Sequence, residues 1–151
     1  MTQINCYLED LKVGDRFSSD RATITESEIK GFASQFDPQP FHLSNKVAKE
    51  TFFKGLAASG WHTAAIAMRL LVDSEFKPAG GLIGAGVDDL KWHRPVRAGD
   101  QLTLDIEIVD IRPSKSKPNQ GIVRLKVTTL NQKEEEVLSY IANLVLRRSV
   151  S

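Results

Sequence analysis

Residues 59–72 read SGWHTAAIAMRLLV, a stretch that is apolar nearly all round. A helix with this composition is usually buried on every side rather than lying at a surface. The alanines within it leave room for a sheet to approach the helix axis closely. Ser59 is a typical N-cap residue, and the first backbone N–H groups of a helix have no partner within it. The stretch therefore predicts a buried central helix from Ser59 to about Val72.

Strand patterns fill the second half of the chain. Apolar and polar residues alternate from Leu102 to Ile108, which is the period of two expected of a half-buried strand. Further strands are predicted over Leu82 to Trp92, Ile122 to Leu130 and Val137 to Leu146, with a hairpin turn at 131–133. The polar, proline-containing segment between Ile111 and Gly121 predicts a mobile loop.

The first half of the chain predicts one strand and one further helix. Turns with glycine before aspartate occur at Gly14 and again at Gly99, and a strand is predicted from Arg16 to Ile24. Residues 25–28 read TESE, a capping box that starts a helix. Pro38 disfavours helical geometry in the residue before it, so this helix should end at about Phe36.

Together these elements indicate an α+β fold in which an antiparallel β-sheet wraps around one long central α-helix. This is the outline of a hot-dog fold. A length of 151 residues fits one domain over 1–151, with its core at about 8–148.

Composition argues against several classes of protein. Lys and Arg number 20 against 19 Asp and Glu, and the two signs are mixed along the chain, which disfavours a nucleic-acid binder. The longest stretch of low charge, Gly55 to Met68, is too short for a membrane helix. The N-terminal residues lack the basic-then-apolar order of a signal peptide. A single cysteine, Cys6, excludes an intrachain disulfide and fits a reducing cytoplasm.

The segment FDPQPFH, residues 36–42, places an acid and an imidazole five residues apart in a loop stiffened by two prolines. An imidazole can exchange protons near neutral pH. Asp37 follows a predicted helix C-terminus, whose unpaired carbonyl groups should raise the pKa of a nearby carboxyl. On these residues alone, two interpretations stay open: an acid–base pair, or an Asp that caps the turn above a hydrogen-bonded His.

A resemblance favours the first interpretation. From roughly Leu8 to Leu146 the chain resembles the MaoC-like dehydratases and (R)-specific enoyl-CoA hydratases, in which Asp-x-Asn-Pro-x-His precedes a His-Gly that opens the hot-dog helix. The matching residues are Asp37, Pro40, His42 and Gly60. Gln39 stands where the signature has asparagine, and Ser59 stands where it has histidine.

The resemblance implies syn addition of water to a 2-enoyl-CoA thioester, or the reverse reaction. Asp37 and His42 would share the water, and the backbone N–H of Gly60 would bind the thioester oxygen as negative charge develops. Glycine or another small residue is expected at this position because the thioester must approach the backbone closely. It implies no cofactor, since CoA is part of the substrate, and a homodimer or higher homo-oligomer that pairs sheets edge to edge. Further candidates for substrate binding are Gln39, Ser59, Trp61, Arg94, Arg97, Lys115 and Lys117, with Phe53 and Trp61 as possible walls of the acyl pocket.

Two other functions stay open on the sequence: a hot-dog thioesterase, and a non-catalytic subunit that binds acyl-CoA. His62 is expected to be hydrogen-bonded in the core or at a subunit contact, and His93 is expected to be structural as well. The three histidines lack metal-ligand spacing, so no metal site is predicted.

Overall fold

The structure, a computed structural model, describes residues 6–149 and contains both helices and antiparallel strands. After a 3-10 helix at Leu8–Asp10, the elements in chain order are strands β1 (Arg16–Ser18) and β2 (Ala22–Thr23), helices α1 (Glu26–Phe36), α2 (Pro40–Leu43), α3 (Asn45–Ala48) and α4 (Gly60–Val72), and strands β3 (Ile83–Trp92), β4 (Gln101–Pro113), β5 (Gln120–Leu130) and β6 (Glu136–Arg147). The predicted α+β class is confirmed.

The strands form one sheet in the order β1-β4-β5-β6-β3, and β2 pairs separately with the start of β4. Every named pair of strands is antiparallel. Strands β4, β5 and β6 follow one another through hairpins, whereas β3 pairs with β6 alone. Strand β3 is therefore an edge, with one side of its backbone not paired in the described chain.

The core lies between the sheet and α4. Along the three long central strands every second side chain is buried, which is the pattern of a sheet with one covered face. The buried members include Leu102, Leu104, Ile106, Ile108, Val123, Leu125, Val127, Leu138, Leu144 and Leu146. This alternation confirms the strand predicted around Leu102 to Ile108.

Helix α4 packs on the sheet with one side only. Ala67, Leu70 and Leu71 are buried, whereas Trp61 and Met68 are exposed to 61% and 47% of their surface. The expectation that this helix is buried on every side is therefore wrong for a single chain. The sheet covers one face of the helix, Phe32 of α1 covers His62, and no described element covers the side that carries Trp61 and Met68.

The predicted strand from Arg16 to Ile24 is interrupted, which is a second difference from the sequence-based expectation. Residues 19–21 leave the sheet between β1 and β2. The cause is local: the side-chain hydroxyl of Ser19, not a backbone carbonyl, accepts the hydrogen bond from Leu104 N at 2.8 Å. One strand therefore becomes two short ones that pair with β4 at separate places.

The predicted turns at Gly14 and Gly99 and the predicted capping box at Thr25 are confirmed. Gly14 and Gly99 have φ angles of 97° and 89°, which favour glycine. Glu28 N donates to the Thr25 hydroxyl at 3.1 Å, and Thr25 N donates to the Glu28 carboxylate at 3.0 Å.

The segment predicted as a loop from Ile111 to Gly121 is shorter in the structure. Pairing of β4 with β5 continues to Pro113 opposite Gly121, which leaves residues 114–119 between the strands.

No helix in the described part of the chain is long and apolar enough to cross a membrane.

Candidate active site

Asp37 is held at the end of α1 by its own backbone. It is the C-cap residue, and its N–H donates to Ala33 O at 2.9 Å. Pro38 follows, and the N–H of Gln39 turns back to Asp37 O at 2.8 Å, closing a three-residue turn. The carboxyl group therefore projects from a stiff loop, with 20% of the side chain exposed.

His42 lies on the short helix α2, which begins with Pro40 at a position that suits proline. Its ring is buried, and Nδ1 lies 2.6 Å from the carbonyl oxygen of Ala57. Because a carbonyl oxygen only accepts, Nδ1 must carry the proton in this contact. The other ring nitrogen, Nε2, lies 3.3 Å from Asp37 Oδ2.

This arrangement brings two acceptors together at the cleft. In the neutral imidazole, Nε2 offers a lone pair, and an ionised Asp37 offers only oxygen lone pairs. Two such groups at 3.3 Å are stabilised by a proton shared between them or by a donor, such as a water molecule, that bridges them. The pair can therefore hold a water and accept a proton from it.

The pKa of the Asp37 carboxyl is lowered, contrary to the sequence-based expectation. Burial raises this pKa, but the side chains of Ser59 and Gln39 and the charge of His42 lower it by more. The Gln39 amide donates to Asp37 Oδ1. The expected effect of the helix C-terminus is outweighed, since these groups favour the ionised form of the carboxyl.

Ser59 precedes α4 and is completely buried. Its hydroxyl is close enough to Asp37 to lower the pKa of that carboxyl, but it forms no well-aligned hydrogen bond with any described group. It also does not cap the helix with its side chain, which differs from the expected N-cap role. A buried hydroxyl without a fixed partner is free to turn toward the carboxyl or toward a molecule in the cleft.

Gly60 opens α4, and the first intrahelical hydrogen bond starts only at Thr63 N. The N–H groups of residues 60–62 have no hydrogen-bond partner within residues 6–149. They lie at the positive end of the helix, where anions and developing negative charge are stabilised. The start of α4 can therefore serve as the predicted oxyanion site.

A second reason for glycine at position 60 comes from Trp92. A Cβ atom on Gly60 would lie 2.7 Å from Trp92 Cε2 and 2.8 Å from Nε1. The same indole donates from Nε1 to Gly60 O at 2.7 Å. Glycine at position 60 is therefore required for two reasons. The expected one is close approach of the thioester to the backbone, and the other is close packing of the Trp92 indole.

These groups line one cleft of about 580 Å³. Its polar end is formed by Asp37, His42 and the start of α4, and the rest is largely aromatic. The lining residues are Asp37, Gln39, Phe41, His42, Phe52, Phe53, Ala58, Gly60, Trp61, Thr63, Trp92, His93, Arg94, Pro95 and Val96. The cleft thus has an apolar wall with a few convergent polar groups, as ligand sites commonly do.

Comparison with known proteins agrees with this geometry. The family model of the MaoC-like domain matches residues 11–131. The chain belongs to the MaoC-like domain family. A curated relative, the (R)-specific enoyl-CoA hydratase of Rhodospirillum rubrum, is 33% identical over 115 residues, which is 72% of this chain and 74% of the relative.

Solved structures show the same fold as this MaoC-like domain. The crystal structure of a MaoC-like dehydratase from Rhodospirillum rubrum superposes with a TM-score of 0.94 at 50% identity, over 97% of this chain and all of that one. A protein from Mycobacterium tuberculosis described as a double hot-dog fold matches with a TM-score of 0.78 at 20% identity, over 96% of this chain and 45% of its own. The predicted hot-dog fold is confirmed.

The arginines predicted to bind substrate take different places in the MaoC-like domain. Arg97 donates to the carbonyl oxygens of Phe53, Gly55 and Leu56 at 2.6, 2.9 and 3.1 Å. Its guanidinium group thus holds the loop before α4. Arg94 lines the cleft, donates to Glu136 O at 2.9 Å and lies 3.4 Å from the Glu135 carboxylate.

The remaining candidates divide between the cleft and the far loop. Gln39, Trp61 and Phe53 line the cleft, whereas Ser59 is buried beside it. Lys115 and Lys117 lie between β4 and β5 and are not among the residues that line the cleft. Their role in binding the phosphates of CoA stays a prediction.

His62 is not hydrogen-bonded through Nδ1 to any described group, so the expected core hydrogen bond is missing at that atom. Its ring stacks on Phe32 with the ring centres 4.8 Å apart. Burial lowers the pKa of His62, partly offset by the charge of Glu28. His93 lies at the edge of the cleft, with Nε2 2.7 Å from the Ser139 hydroxyl.

Trp92 is among the cleft residues that the sequence did not reveal. It is separated from Gly60 by 32 residues, and the sequence carries no signal of their contact.

Within residues 6–149, no group of three or more histidine, cysteine or acidic side chains is arranged to hold a metal ion.

Proposed function

We propose that this MaoC-like domain catalyses the reversible addition of water to 2-enoyl-CoA thioesters. The observation that carries the proposal is the contact of 3.3 Å between His42 Nε2 and Asp37 Oδ2, with His42 Nδ1 tied to the carbonyl of Ala57. That tie leaves Nε2 as the acceptor that faces the carboxylate. The pair is therefore arranged to bind and deprotonate one water molecule.

The chemistry follows from the positions of these groups. A water held between Asp37 Oδ2 and His42 Nε2 donates its hydrogens to them and directs a lone pair to the β-carbon. As the C–O bond forms, one of the two groups accepts a proton, and the electron pair of the double bond moves onto the thioester as an enolate. Return of that proton to the α-carbon completes the addition of one water, and proton return from the same face makes the addition syn.

The enolate requires stabilisation at the thioester oxygen. The free N–H groups at the start of α4 are the donors available beside the cleft. Preorganised donors of this kind commonly lower a barrier by an amount that corresponds to about 10²–10³ in rate. The named relative, an (R)-specific enoyl-CoA hydratase, supports the hydro-lyase class.

We also propose that the protein is a homodimer joined through strand β3. The strand is ten residues long, nearly all of them exposed, and includes Ile83 and Val87, which expose 51% and 56% of their surface. A long, unpaired edge is a template for another strand. Pairing with a second copy would extend the antiparallel sheet across both subunits.

The substitution Asp37→Asn tests the proposed reaction. Asparagine keeps the size of the side chain but cannot accept the proton, so hydration should fall by about 10²–10⁴ while the fold is retained. The measurement is the loss of enoyl-thioester absorbance with crotonyl-CoA, and circular dichroism checks the fold. Asp20→Asn, an exposed aspartate outside the cleft, is the matched control and should keep full activity.

Each contrary outcome points to another function. Unchanged hydration by the Asp37→Asn protein would contradict the mechanism. Release of free thiol by the unaltered protein would favour a thioesterase. Binding of several acyl-CoA esters without a change in enoyl absorbance would favour a non-catalytic subunit.

A further inference from the structure

A second cavity begins where the catalytic cleft ends. It has a volume of about 590 Å³ and lies between the side of α4 that carries Trp61 and Met68 and the neighbouring strands β3 and β6. Its walls are almost entirely apolar, with Ala64 and Met68 from the helix and Leu90 and Ala142 from the sheet. Within residues 6–149, Trp61 alone lines both this apolar groove and the cleft.

The Trp61–Trp92 pair stands at the boundary between the two cavities. Positions 61, 64, 68 and 71 of α4 have helical spacing, so the apolar stripe that begins at Trp61 continues along the groove. On β3, Trp92 and Leu90 are two residues apart and lie on the same face. The two indole rings meet edge to face, with their centres 5.1 Å apart.

The two indoles differ in how firmly they are held. Trp92 donates a hydrogen bond to Gly60 O and packs against the Gly60 backbone. Trp61 is 61% exposed, and its indole N–H donates to no group in the part of the chain that the structure describes. Trp92 is therefore part of the framework, whereas Trp61 is a wall that can be removed without breaking a hydrogen bond.

We propose that Trp61 closes the apolar groove off from the catalytic cleft and thereby limits the substrates to short acyl chains. The proposal rests on the hydratase function proposed above and names its substrate class. A short enoyl group ends before it reaches the indole, whereas a longer chain must displace the indole or stay in water. Each methylene kept out of an apolar site lowers affinity about four-fold.

The test is chain-length preference in the Trp61→Ala protein. The kcat/KM for 2-octenoyl-CoA, divided by that for crotonyl-CoA, is measured for both proteins. The alanine should open the groove to the longer chain, so this ratio should rise at least about tenfold, as expected from burial of a few methylenes. Trp61→Leu, which keeps an apolar side chain at the surface, should raise the ratio by less and serves if the alanine protein folds poorly.

Two further variants make the test specific. In the double variant Trp61→Ala with Ala64→Phe, a new ring fills the groove one helical turn on, and the ratio should return toward that of the unaltered protein. Val72→Ala truncates another exposed apolar residue of α4 that lines neither cavity, and it should leave the ratio unchanged.

Three outcomes would overturn the proposal. The unaltered protein could already prefer 2-octenoyl-CoA, the ratio could stay the same in Trp61→Ala, or this variant could become monomeric and lose all turnover, which would assign the indole to a contact between copies. In contrast, failure of the unaltered protein to hydrate crotonyl-CoA or 2-octenoyl-CoA would contradict the proposed hydratase function itself.

Discussion

The carboxyl group of Asp37 is partly buried and yet favoured in its ionised form. Burial alone would raise its pKa, but Ser59, Gln39 and His42 together lower it. A base must be ionised to accept a proton, so activity is lost as the pH falls through its pKa. Groups that lower the pKa of Asp37 therefore extend activity to lower pH.

Replacement of Ser59 by alanine should raise the pKa of Asp37, because it removes a group that stabilises the carboxylate. The acid limb of the pH profile of kcat/KM should then move to higher pH. The measurement is hydration of crotonyl-CoA across the acid range. Ser34→Ala, on the exposed side of α1, is the control and should leave the limb in place. A limb that stays or moves to lower pH in Ser59→Ala would contradict this assignment.

Replacement of Gly60 by alanine should force the start of α4 and Trp92 apart, because the new Cβ would lie 2.7 Å from the indole. We expect kcat to fall by about 10²-fold as the oxyanion donors shift. The free energy of unfolding should fall by about 1–3 kcal/mol. Steady-state kinetics measure the change in kcat, and urea denaturation measures the change in the free energy of unfolding.

Gly31→Ala is the matched control for this substitution. Gly31 lies within α1, and a Cβ atom there would meet nothing within 4 Å. Alanine at such a position should stabilise the helix by about 0.5–1 kcal/mol and leave kcat unchanged. Equal effects of the two substitutions would show that contact with Trp92 does not matter.

At the residue level, the sequence predicted contacts between residues that are close together in the chain. Asp37 and His42 are five positions apart in a proline-stiffened loop, so their proximity is largely set by nearby residues. The direction of the pKa shift at Asp37 depends partly on Ser59, which is brought there only by folding. The contact between Trp92 and Gly60 crosses from the sheet to the helix, and no sequence pattern marks it.

Among the elements, the loop before α4 depends on one side chain. Arg97 donates to three of its carbonyl groups, and Ala57 in the same loop binds His42. Loss of one hydrogen bond to a charged group costs at most about 1.5–3 kcal/mol. Because one guanidinium group makes all three bonds, losing them together costs less than three times that amount. The loop that orients the imidazole is therefore coupled to the turn that carries Arg97.

We expect Arg97→Ala to lower the free energy of unfolding by about 1–3 kcal/mol and to reduce kcat as well as raise KM, because three partly buried carbonyl groups lose their donor. Urea denaturation and steady-state kinetics measure both. Arg94→Ala removes an arginine at the rim whose ion pair is largely exposed, and should cost about 0–1 kcal/mol. An effect of Arg97→Ala on KM alone would instead support its predicted contact with CoA.

The bounds of a helix or strand were predicted correctly where nearby residues mark both of its ends. Helix α1 has a capping box at its start and Pro38 after its end, and both ends agree with the structure. Strands β1 and β2 were predicted as one, because nothing in the sequence shows that the Ser19 hydroxyl replaces a backbone carbonyl in pairing with Leu104. Whether a side chain replaces a backbone carbonyl in a sheet depends on which strand lies opposite. The order of residues in the sequence does not show which strand that is.

At the scale of the whole molecule, no element within residues 6–149 covers the edge strand β3 or the side of α4 that carries Trp61 and Met68. The sequence shows that α4 is apolar nearly all round, but not which side the sheet leaves open. That choice depends on how the sheet curves around the helix. The edge strand is accounted for if a second copy pairs along β3.

The unaltered protein is therefore expected to have twice the mass of one chain in light scattering at micromolar concentration. Val87→Lys places a charge on the edge strand, a common device against pairing of edges, and should shift the protein to monomer. Val13→Lys, at another exposed valine in the turn before β1, is the control and should stay dimeric. A monomeric unaltered protein, or a Val87→Lys protein that stays dimeric, would contradict pairing through β3.

The chain contains two tryptophans, and both line the cleft. One indole is hydrogen-bonded and packed against the helix start, and the other is largely open to solvent. The tryptophan fluorescence of the protein therefore arises entirely from the cleft that holds the candidate catalytic pair. Occupation of the cleft should change the intensity or wavelength of this emission, which makes the unlabelled protein a reporter of its own ligands, including esters that it binds without converting.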